Sequence, residues 1–310
     1  TTAYQFNNTE HAASLFGLKE FGNIYSRLGN PTVGALEARL TDLEEGAMCV
    51  ALSSGTSAVM YSLINIMSQG DNFVTANQLY GGTYTMFDNI LPEYGIDSKK
   101  VDITDLKAVE DAIDDKTRAI YCETITNPGL VVADVTALSE IAHSKGIPLI
   151  VDATFTTSAI QKSFEFGADI VVYSLTKWMS GHGRVIAGAV IEKGGFDWGN
   201  GNFPLYDKPD TSYGGMRWGH DLGDLSSVAY SLRLRTVPLR NLGANMSPET
   251  AFEVMSGLET LGLRMDRHCE NAIKAAEYLS DHELVEWIRY PGLKDDPAYE
   301  LSEKYLKGTG

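Results

Sequence analysis

Three absences narrow the class of protein before any motif is considered. The 310 residues include only three cysteines, an odd number without the spacing of a metal site. We therefore expect reduced thiols in a cytoplasmic protein, and no bound metal. No apolar run approaches the length of a membrane span and no signal peptide opens the chain, so we expect no membrane partner.

Basic residues are also scarce. Lys and Arg total 25 against 41 Asp and Glu, which gives a formal net charge of -16. Because a nucleic-acid partner requires a basic face, this balance argues against one. Hydrophobic residues make up 44% of the sequence, which is enough for one large core or two smaller ones.

The chain alternates between short apolar runs and segments with helical periodicity. Val33, Leu36 and Leu40 recur at helical spacing, which predicts a helix over 31–45. Strands and helices then follow in turn, the pattern of an α/β fold with a doubly wound, mostly parallel sheet and helices on both faces. The predicted strands are 47–52, 72–76, 118–122, 147–151, 169–173 and 186–191, and the further predicted helices are 58–67, 104–113 and 134–145.

Lys177 lies just past the carboxyl end of the predicted strand 169–173. Open α/β sheets bind their ligands at that edge. The hydroxyls of Ser174 and Thr176 could hold a phosphate there while the lysine amine attacks a carbonyl carbon. We expect burial to favour the neutral, nucleophilic amine. Taken alone, a solvated surface lysine would be the simpler interpretation.

Asp152 ends another predicted strand, so its side chain should lie at the same edge as Lys177. A carboxylate in such a place is costly without a partner. A protonated pyridine nitrogen would supply one, and that pairing makes pyridoxal phosphate an electron sink. The structural alternative is an aspartate that caps a turn.

Two glycine-containing turns offer a phosphate site and a stacking surface. The run 53–57, Ser-Ser-Gly-Thr-Ser, lies between a predicted strand and a predicted helix, where free backbone N–H groups can bind an anion. The same residues also cap helices for purely structural reasons. Tyr80 stands beside Gly81 and Gly82, which leaves its ring free to stack on a flat heterocycle, although a core tyrosine is the alternative.

The segment 1–30 is polar and is predicted to be irregular. Within it, Tyr25 and Arg27 are close enough in sequence to reach one anion together. Without further context, both would be solvated loop residues.

Taken together, these motifs resemble the Cys/Met-metabolism family of fold-type I pyridoxal-phosphate enzymes, in that family's order and over nearly the whole chain. The motifs are Tyr25-Ser-Arg27, Asn30-Pro-Thr32, Ser53-Ser-Gly-Thr56, Leu79-Tyr-Gly-Gly-Thr83, Glu123-x-x-x-Asn127-Pro128, Asp152-Ala-Thr-Phe155, and Ser174-Leu-Thr-Lys177 with Gly181-His-Gly183. One departure is Ala153, where the family usually has asparagine; we expect it to be tolerated.

The resemblance implies roles in catalysis and ring binding. Lys177 would bind the cofactor covalently and then move protons at Cα and Cβ of the substrate. Asp152 would pair with the pyridine nitrogen. Tyr80 would stack on the ring and assist acid–base steps, and Asn127 would contact the ring on its hydroxyl side.

The resemblance also implies a phosphate site shared between subunits. Four residues of the same chain would hold the phosphate: Gly55, Thr56, Ser174 and Thr176. Tyr25 and Arg27 would reach the phosphate of a neighbouring subunit. The active unit would then be at least a dimer, and usually a homotetramer built as a dimer of dimers.

The stretches 195–198 and 209–214 resemble the branch of the family that carries out γ-replacement. That reaction would convert O-acetylhomoserine and sulfide or a thiol to homocysteine or methionine and acetate. Two alternatives stay open: a cystathionine γ-synthase or γ-lyase on the same scaffold, or a catalytically silent fragment that binds the cofactor.

Three regions are expected along the chain. They are an N-terminal arm (1–30), a large cofactor-binding domain (31–240), and a linking helix with the start of a small C-terminal domain (241–310). In the last region, 245–280 is predicted to be one long helical stretch and 294–310 a loop. Against the family pattern the start looks clipped and most of the small domain, which usually carries the arginine for the substrate carboxylate, is expected to be absent.

Overall fold

A computed structural model describes residues 1–308, and within them it contains one seven-stranded sheet. The strand order is β1-β7-β6-β5-β4-β2-β3. β7 pairs antiparallel with both β1 and β6, and the other neighbours are parallel. The sheet confirms the predicted α/β fold. The strands are β1 (Met48–Leu52), β2 (Asn72–Ala76), β3 (Asp97–Val101), β4 (Thr117–Glu123), β5 (Leu149–Asp152), β6 (Ile170–Tyr173) and β7 (Gly188–Glu192).

Several helices begin at residues whose side chains cap the first turn. Asn30 accepts a hydrogen bond from Thr32 N–H at the start of α2, and Asp134 accepts one from Ala137 N–H at the start of α6. Among residues 1–308, no helix is long and apolar enough to cross a membrane. The helices are α1 (Thr9–Phe16), α2 (Pro31–Glu44), α3 (Gly55–Ile64), α4 (Gly81–Thr85), α5 (Leu106–Asp111), α6 (Val135–Ser144), α7 (Thr157–Ile160), α8 (Pro204–Asp207), α9 (Ala229–Leu234), α10 (Arg240–Leu242), α11 (Pro248–Leu258), α12 (Leu261–Ser280) and α13 (Tyr299–Tyr305).

The structure corrects the predictions made for both ends of the chain. The arm is not irregular throughout, because Asn8 accepts a hydrogen bond from His11 N–H and so caps α1. The predicted loop 294–310 contains α13, in which Tyr305 is buried and bonds to Asp134, the residue that caps α6. The predicted long helix 245–280 is two helices, α11 and α12, separated by two residues.

The parallel strands bring their carboxyl ends to one edge of the sheet, called here the ligand edge. Glu123 at the end of β4 lies opposite Asp152 at the end of β5, and Asp152 lies opposite Val172 in β6. Because β7 runs antiparallel, its last residue, Glu192, pairs with Ile170 at the beginning of β6. Glu192 therefore lies at the opposite edge.

Candidate active site

The hydrogen-bond donors that contact the Asp152 carboxylate are neutral groups. Its carboxylate accepts bonds from the Tyr121 hydroxyl at 3.2 Å and from the Thr154 N–H at 2.9 Å. Burial raises the pKa of Asp152, against the lowering effect of the bonds from Thr154 and Tyr121. No Lys, Arg or His within residues 1–308 forms an ion pair with it. The site therefore favours a ligand that brings a positive charge to this carboxylate.

Lys177 lies in the turn that follows β6. Its N–H donates to the Ser174 carbonyl at 3.2 Å, and Ser174 N–H in turn donates to Thr154 Oγ at 2.7 Å. This chain of bonds joins the loop after Asp152 to the loop that carries the lysine. The Lys177 side chain is exposed, so the expected burial of its amine is wrong for this chain by itself.

Gly55 and Ser174 meet at the amino end of α3. A Cβ at Gly55 would lie 2.4 Å from the Ser174 Cβ, so only glycine permits this approach. Ser54 caps α3 through the Ser57 N–H. The N–H groups of Gly55 and Thr56 have no acceptor among residues 1–308. These free donors at a helix N-terminus form a cradle of the kind that binds phosphate.

Thr176 is more constrained than the sequence suggested. Its hydroxyl donates to the Ala187 carbonyl at 3.2 Å and accepts from the Ala187 N–H at 3.0 Å. The single hydroxyl proton is therefore already engaged by the residue that precedes β7. Thr176 could donate to a phosphate only by releasing that carbonyl.

Tyr80 and Asn127 lie in two loops that approach each other at the ligand edge. The Tyr80 side chain is 48% exposed, and its ring covers Gly82, where a Cβ would lie 2.7 Å from the ring. Asn127 is exposed in the loop after β4. The backbone N–H groups of both residues donate to the carboxylate of Glu123.

Glu123, Tyr121 and Thr154 are not among the predicted site residues, although each contacts one of them. Glu123 carried a usable signal, because it ends an apolar strand as Asp152 does. Tyr121 and Thr154 carried none, since their contacts with Asp152 depend on the register between strands and on the path of a loop.

The structure does not bring Tyr25 and Arg27 to the other predicted site residues of the same chain. The Arg27 guanidinium lies 5.1 Å from the centre of the Tyr25 ring, and its Nε is buried without a partner in residues 1–308. Leu28 beside them is tied to Arg235 by a 2.7 Å hydrogen bond from the guanidinium to the Leu28 carbonyl. No hydrogen bond within residues 1–308 joins Tyr25 or Arg27 to Asp152 or Lys177.

Comparison with known proteins decides the family. The profile described as "Cys/Met metabolism PLP-dependent enzyme" matches residues 1–310. The chain belongs to this family. Its cofactor is accordingly pyridoxal phosphate, as predicted, and the free N–H groups beside Gly55 and the uncompensated Asp152 fit its phosphate and its pyridine nitrogen.

Curated members of the family are similar in sequence to this protein over almost the whole chain. An O-acetyl-L-homoserine sulfhydrylase from Leptospira meyeri is 44% identical over 98% of this chain and 70% of its own length. A homocysteine synthase from Schizosaccharomyces pombe is 43% identical over 99% of this chain and 72% of its own length. The predicted family is thereby confirmed.

Solved structures of PLP enzymes have the same fold. A Campylobacter jejuni protein proposed to be an O-acetylhomoserine (thiol)-lyase is 38% identical with a TM-score of 0.95, over 99% of this chain and 76% of its own. That structure contains N'-pyridoxyl-lysine-5'-monophosphate. Cystathionine γ-lyase from Lactobacillus plantarum, complexed with L-serine, is 31% identical with a TM-score of 0.81, over 100% of this chain and 70% of its own. The predicted fold class is therefore confirmed.

Proposed function

We propose that the chain catalyses γ-replacement on O-acetylhomoserine. The Cγ–O bond breaks and acetate leaves with the bonding electrons, while sulfide or a thiol forms a Cγ–S bond to give homocysteine or methionine. The observation that carries the proposal is the meeting of Asp152, the Lys177 loop and the Gly55 cradle at one edge of the sheet. The O-acetyl-L-homoserine sulfhydrylase at 44% identity and the homocysteine synthase at 43% favour replacement over the γ-lyase reaction named for the relative at 31%.

The residues at the ligand edge have separate roles in cofactor binding and in proton transfer. When bound, pyridoxal phosphate supplies an aldehyde that takes an amine and a ring that withdraws electrons from the substrate's Cα. The Lys177 amine holds the cofactor and, once free, moves protons at Cα and Cβ of the substrate. Asp152 accepts a hydrogen bond from the pyridine N–H, and Tyr80 stacks on the ring.

The phosphate and the ring hydroxyl are held by neighbouring loops. The N–H groups of Gly55 and Thr56 donate to the phosphate, together with the Ser174 hydroxyl and, after it releases Ala187, the Thr176 hydroxyl. Asn127 approaches the ring on its hydroxyl side. The residues named here for the ring and the phosphate all belong to the segment 31–240, the proposed large domain.

An assay of the purified 310-residue chain with pyridoxal phosphate tests the proposed function. With O-acetyl-L-homoserine and sulfide, we expect equal amounts of homocysteine and acetate. A γ-lyase would instead release ammonia and a 2-oxo acid without needing sulfide, and cystathionine should be a poor substrate. Release of the 2-oxo acid at the rate of acetate would contradict γ-replacement, and a yellow protein without turnover would identify a silent cofactor-binding chain.

The active unit is proposed to be a cytoplasmic homotetramer, a dimer of dimers in which the arm crosses between subunits. The support is the pairing of Arg27 with the Tyr25 ring and the buried Arg27 Nε, which has no hydrogen-bond partner within residues 1–308. A permanently charged guanidinium suits a phosphate, and a two-fold axis brings the same arm to both sites.

Mixing two inactive variants tests the shared site. Arg27→Ala chains keep the lysine, and Lys177→Ala chains keep the arm. In a hybrid dimer, one site then combines an intact lysine with an intact arm from the partner. After random exchange of equal amounts, we expect about a quarter of the wild-type O-acetylhomoserine turnover, because half of the dimers are hybrids with one intact site.

Subunit exchange is followed separately, by native mass spectrometry of the two variants. A mixture that contains hybrids yet stays as inactive as its parents would show that the arm acts within its own chain. Each variant mixed with itself serves as the control for reactivation by the exchange procedure.

A further inference from the structure

Glu123 joins the two loops that carry the proposed ring-binding residues. One carboxylate oxygen accepts the Tyr80 N–H at 2.7 Å, and the other accepts the Asn127 N–H at 3.0 Å. Both distances are those of well-formed hydrogen bonds. The side chain is only 5% exposed, so water does not compete strongly for either oxygen.

The position of the Glu123 carboxylate is electrostatically unfavourable, because it is buried and close to a second acid. Its backbone lies opposite Asp152 in the register of β4 and β5, and no ion pair within residues 1–308 includes it. Burial, followed by the charge of Asp152, raises the pKa of Glu123 to about 7, against the lowering effect of the Tyr80 and Asn127 N–H groups. A buried acid beside another acid is costly, so it requires a specific compensation.

The two N–H groups supply that compensation, and an ionised carboxylate suits them better than its uncharged analogue. Both oxygens of a carboxylate accept hydrogen bonds, whereas a glutamine amide has one accepting oxygen and an NH₂ group that only donates. Glutamine at position 123 would therefore turn a donor toward either Tyr80 or Asn127. The distance between those two loops would no longer be fixed by one rigid group.

Tyr80 depends on this contact more than a core tyrosine would. Its side chain is about half exposed, and it precedes a helix of only five residues, α4, without a side-chain cap. Its ring lies so close to Gly82 that a Cβ at that position would be 2.7 Å from the ring. The Glu123 bond to its N–H is thus a tether from a buried strand to a largely solvent-facing residue.

We propose that Glu123 is a positioning residue that sets the spacing of Tyr80 and Asn127 around the pyridine ring by accepting one N–H group on each carboxylate oxygen. The proposal rests on the ring contacts proposed above for those two residues. Glu123 itself does not touch the substrate. Its effect is on how tightly the cofactor is held.

Glu192 offers a matched control. It is also a buried glutamate at the end of a strand, 1% exposed, and burial likewise raises its pKa to about 7. Its carboxylate accepts hydrogen bonds from Ser231 N–H at 2.8 Å and Trp198 Nε1–H at 3.2 Å. It lies at the opposite edge of the sheet, so Glu192→Gln repeats the change in chemistry away from the ligand edge.

Two measurements test the proposal, and neither requires turnover. Hydrogen exchange in the cofactor-free protein reports on the N–H groups of Tyr80 and Asn127, and a spectral titration gives the Kd for pyridoxal phosphate. In Glu123→Gln we expect at least about tenfold faster exchange at one of the two amides and at least about tenfold weaker cofactor binding, the effect of losing a hydrogen bond to a charged acceptor. Glu192→Gln should leave the exchange of both amides and the Kd near wild type.

If Glu123→Gln fails to fold, a second variant, Glu123→Asp, and the wild type still test the proposal. Glu123→Asp keeps the charge but shortens the reach by one methylene, and we expect the same losses. In the wild type, both amides should exchange more slowly than in a peptide of the same sequence. Unprotected amides in the wild type, wild-type Kd in both Glu123 variants, or equal weakening in Glu192→Gln would each overturn the proposal.

These outcomes differ from a failure of the proposed reaction. A wild-type protein that binds pyridoxal phosphate but does not turn over O-acetylhomoserine leaves the Glu123 measurements intact. Faster exchange in the Glu123 variants without weaker cofactor binding would make Glu123 a loop anchor with no role at the ring.

Discussion

Lys177→Ala is expected to reduce O-acetylhomoserine turnover to less than about a thousandth of wild type, because it removes the group that both holds the cofactor and moves the protons. The alanine variant should also lose covalent attachment of pyridoxal phosphate. Borohydride treatment of the wild type should fix a pyridoxyl group on the peptide that contains Lys177, and mass spectrometry detects it. The same treatment should leave the variant unlabelled.

Lys193 provides the control for this prediction. It follows β7 as Lys177 follows β6, but because β7 runs antiparallel it lies at the opposite edge, where its amine donates to the Phe164 carbonyl. The Lys193→Ala variant should therefore still carry the pyridoxyl group on its Lys177 peptide after borohydride treatment, and it should turn over O-acetylhomoserine at the wild-type rate. A pyridoxyl group fixed to another lysine of the Lys177→Ala variant, together with measurable turnover, would show that the nucleophile was assigned incorrectly.

The buried strands of the sheet are predictable from sequence because burial on both faces leaves a continuous apolar run. β2 lies at the predicted residues, and β4, β5 and β6 lie within two residues of theirs. β3 escaped the prediction because its sequence, Asp-Ser-Lys-Lys-Val, is polar. Among the strands of residues 1–308 it pairs only with β2, at the end of the strand order, and its side chains there are at least partly exposed.

The ends of these strands are predictable in the same way, and the two central residues of the candidate site, Asp152 and Lys177, follow from them. Asp152 and the Lys177 loop meet because parallel strands end at one edge, which follows from the α/β alternation alone. The two hydrogen bonds between the Thr176 hydroxyl and the Ala187 backbone could not be predicted from the sequence. They depend on the position at which the chain enters the antiparallel strand β7. The bond from the Tyr80 N–H to Glu123 is of the same kind, because it joins the end of β4 to a loop 43 residues earlier in the sequence.

The arm marks a different limit. Its local structure, including α1, is formed by contacts within one chain, such as the bond from His11 N–H to Asn8. The proposed function of Tyr25 and Arg27 depends instead on a second subunit. Within the described part of the chain, the two side chains contact each other and the buried Arg27 Nε has no hydrogen-bond partner.

Asp152→Asn is expected to leave pyridoxal phosphate bound but to reduce turnover by about 100-fold or more. The asparagine side chain has nearly the same shape, and its amide oxygen can still accept the Thr154 N–H that Asp152 now accepts at 2.9 Å. A neutral amide does not favour the protonated pyridine nitrogen as a carboxylate does, so the ring withdraws electrons less strongly. Steady-state kinetics should show the loss in kcat, with the Kd for the cofactor changed far less.

Asp169→Asn is the matched control, because Asp169 is a buried aspartate that immediately precedes β6 at the opposite edge of the sheet. Its carboxylate accepts the Leu149 N–H at 2.8 Å and pairs with His143 at 2.9 Å. Losing that pair should lower stability while kcat stays within about threefold of wild type, since no site residue is involved. If Asp152→Asn behaved in the same way, with near-normal kcat and only a lower melting temperature, Asp152 would be a structural residue that orders the loop through Thr154 and Tyr121.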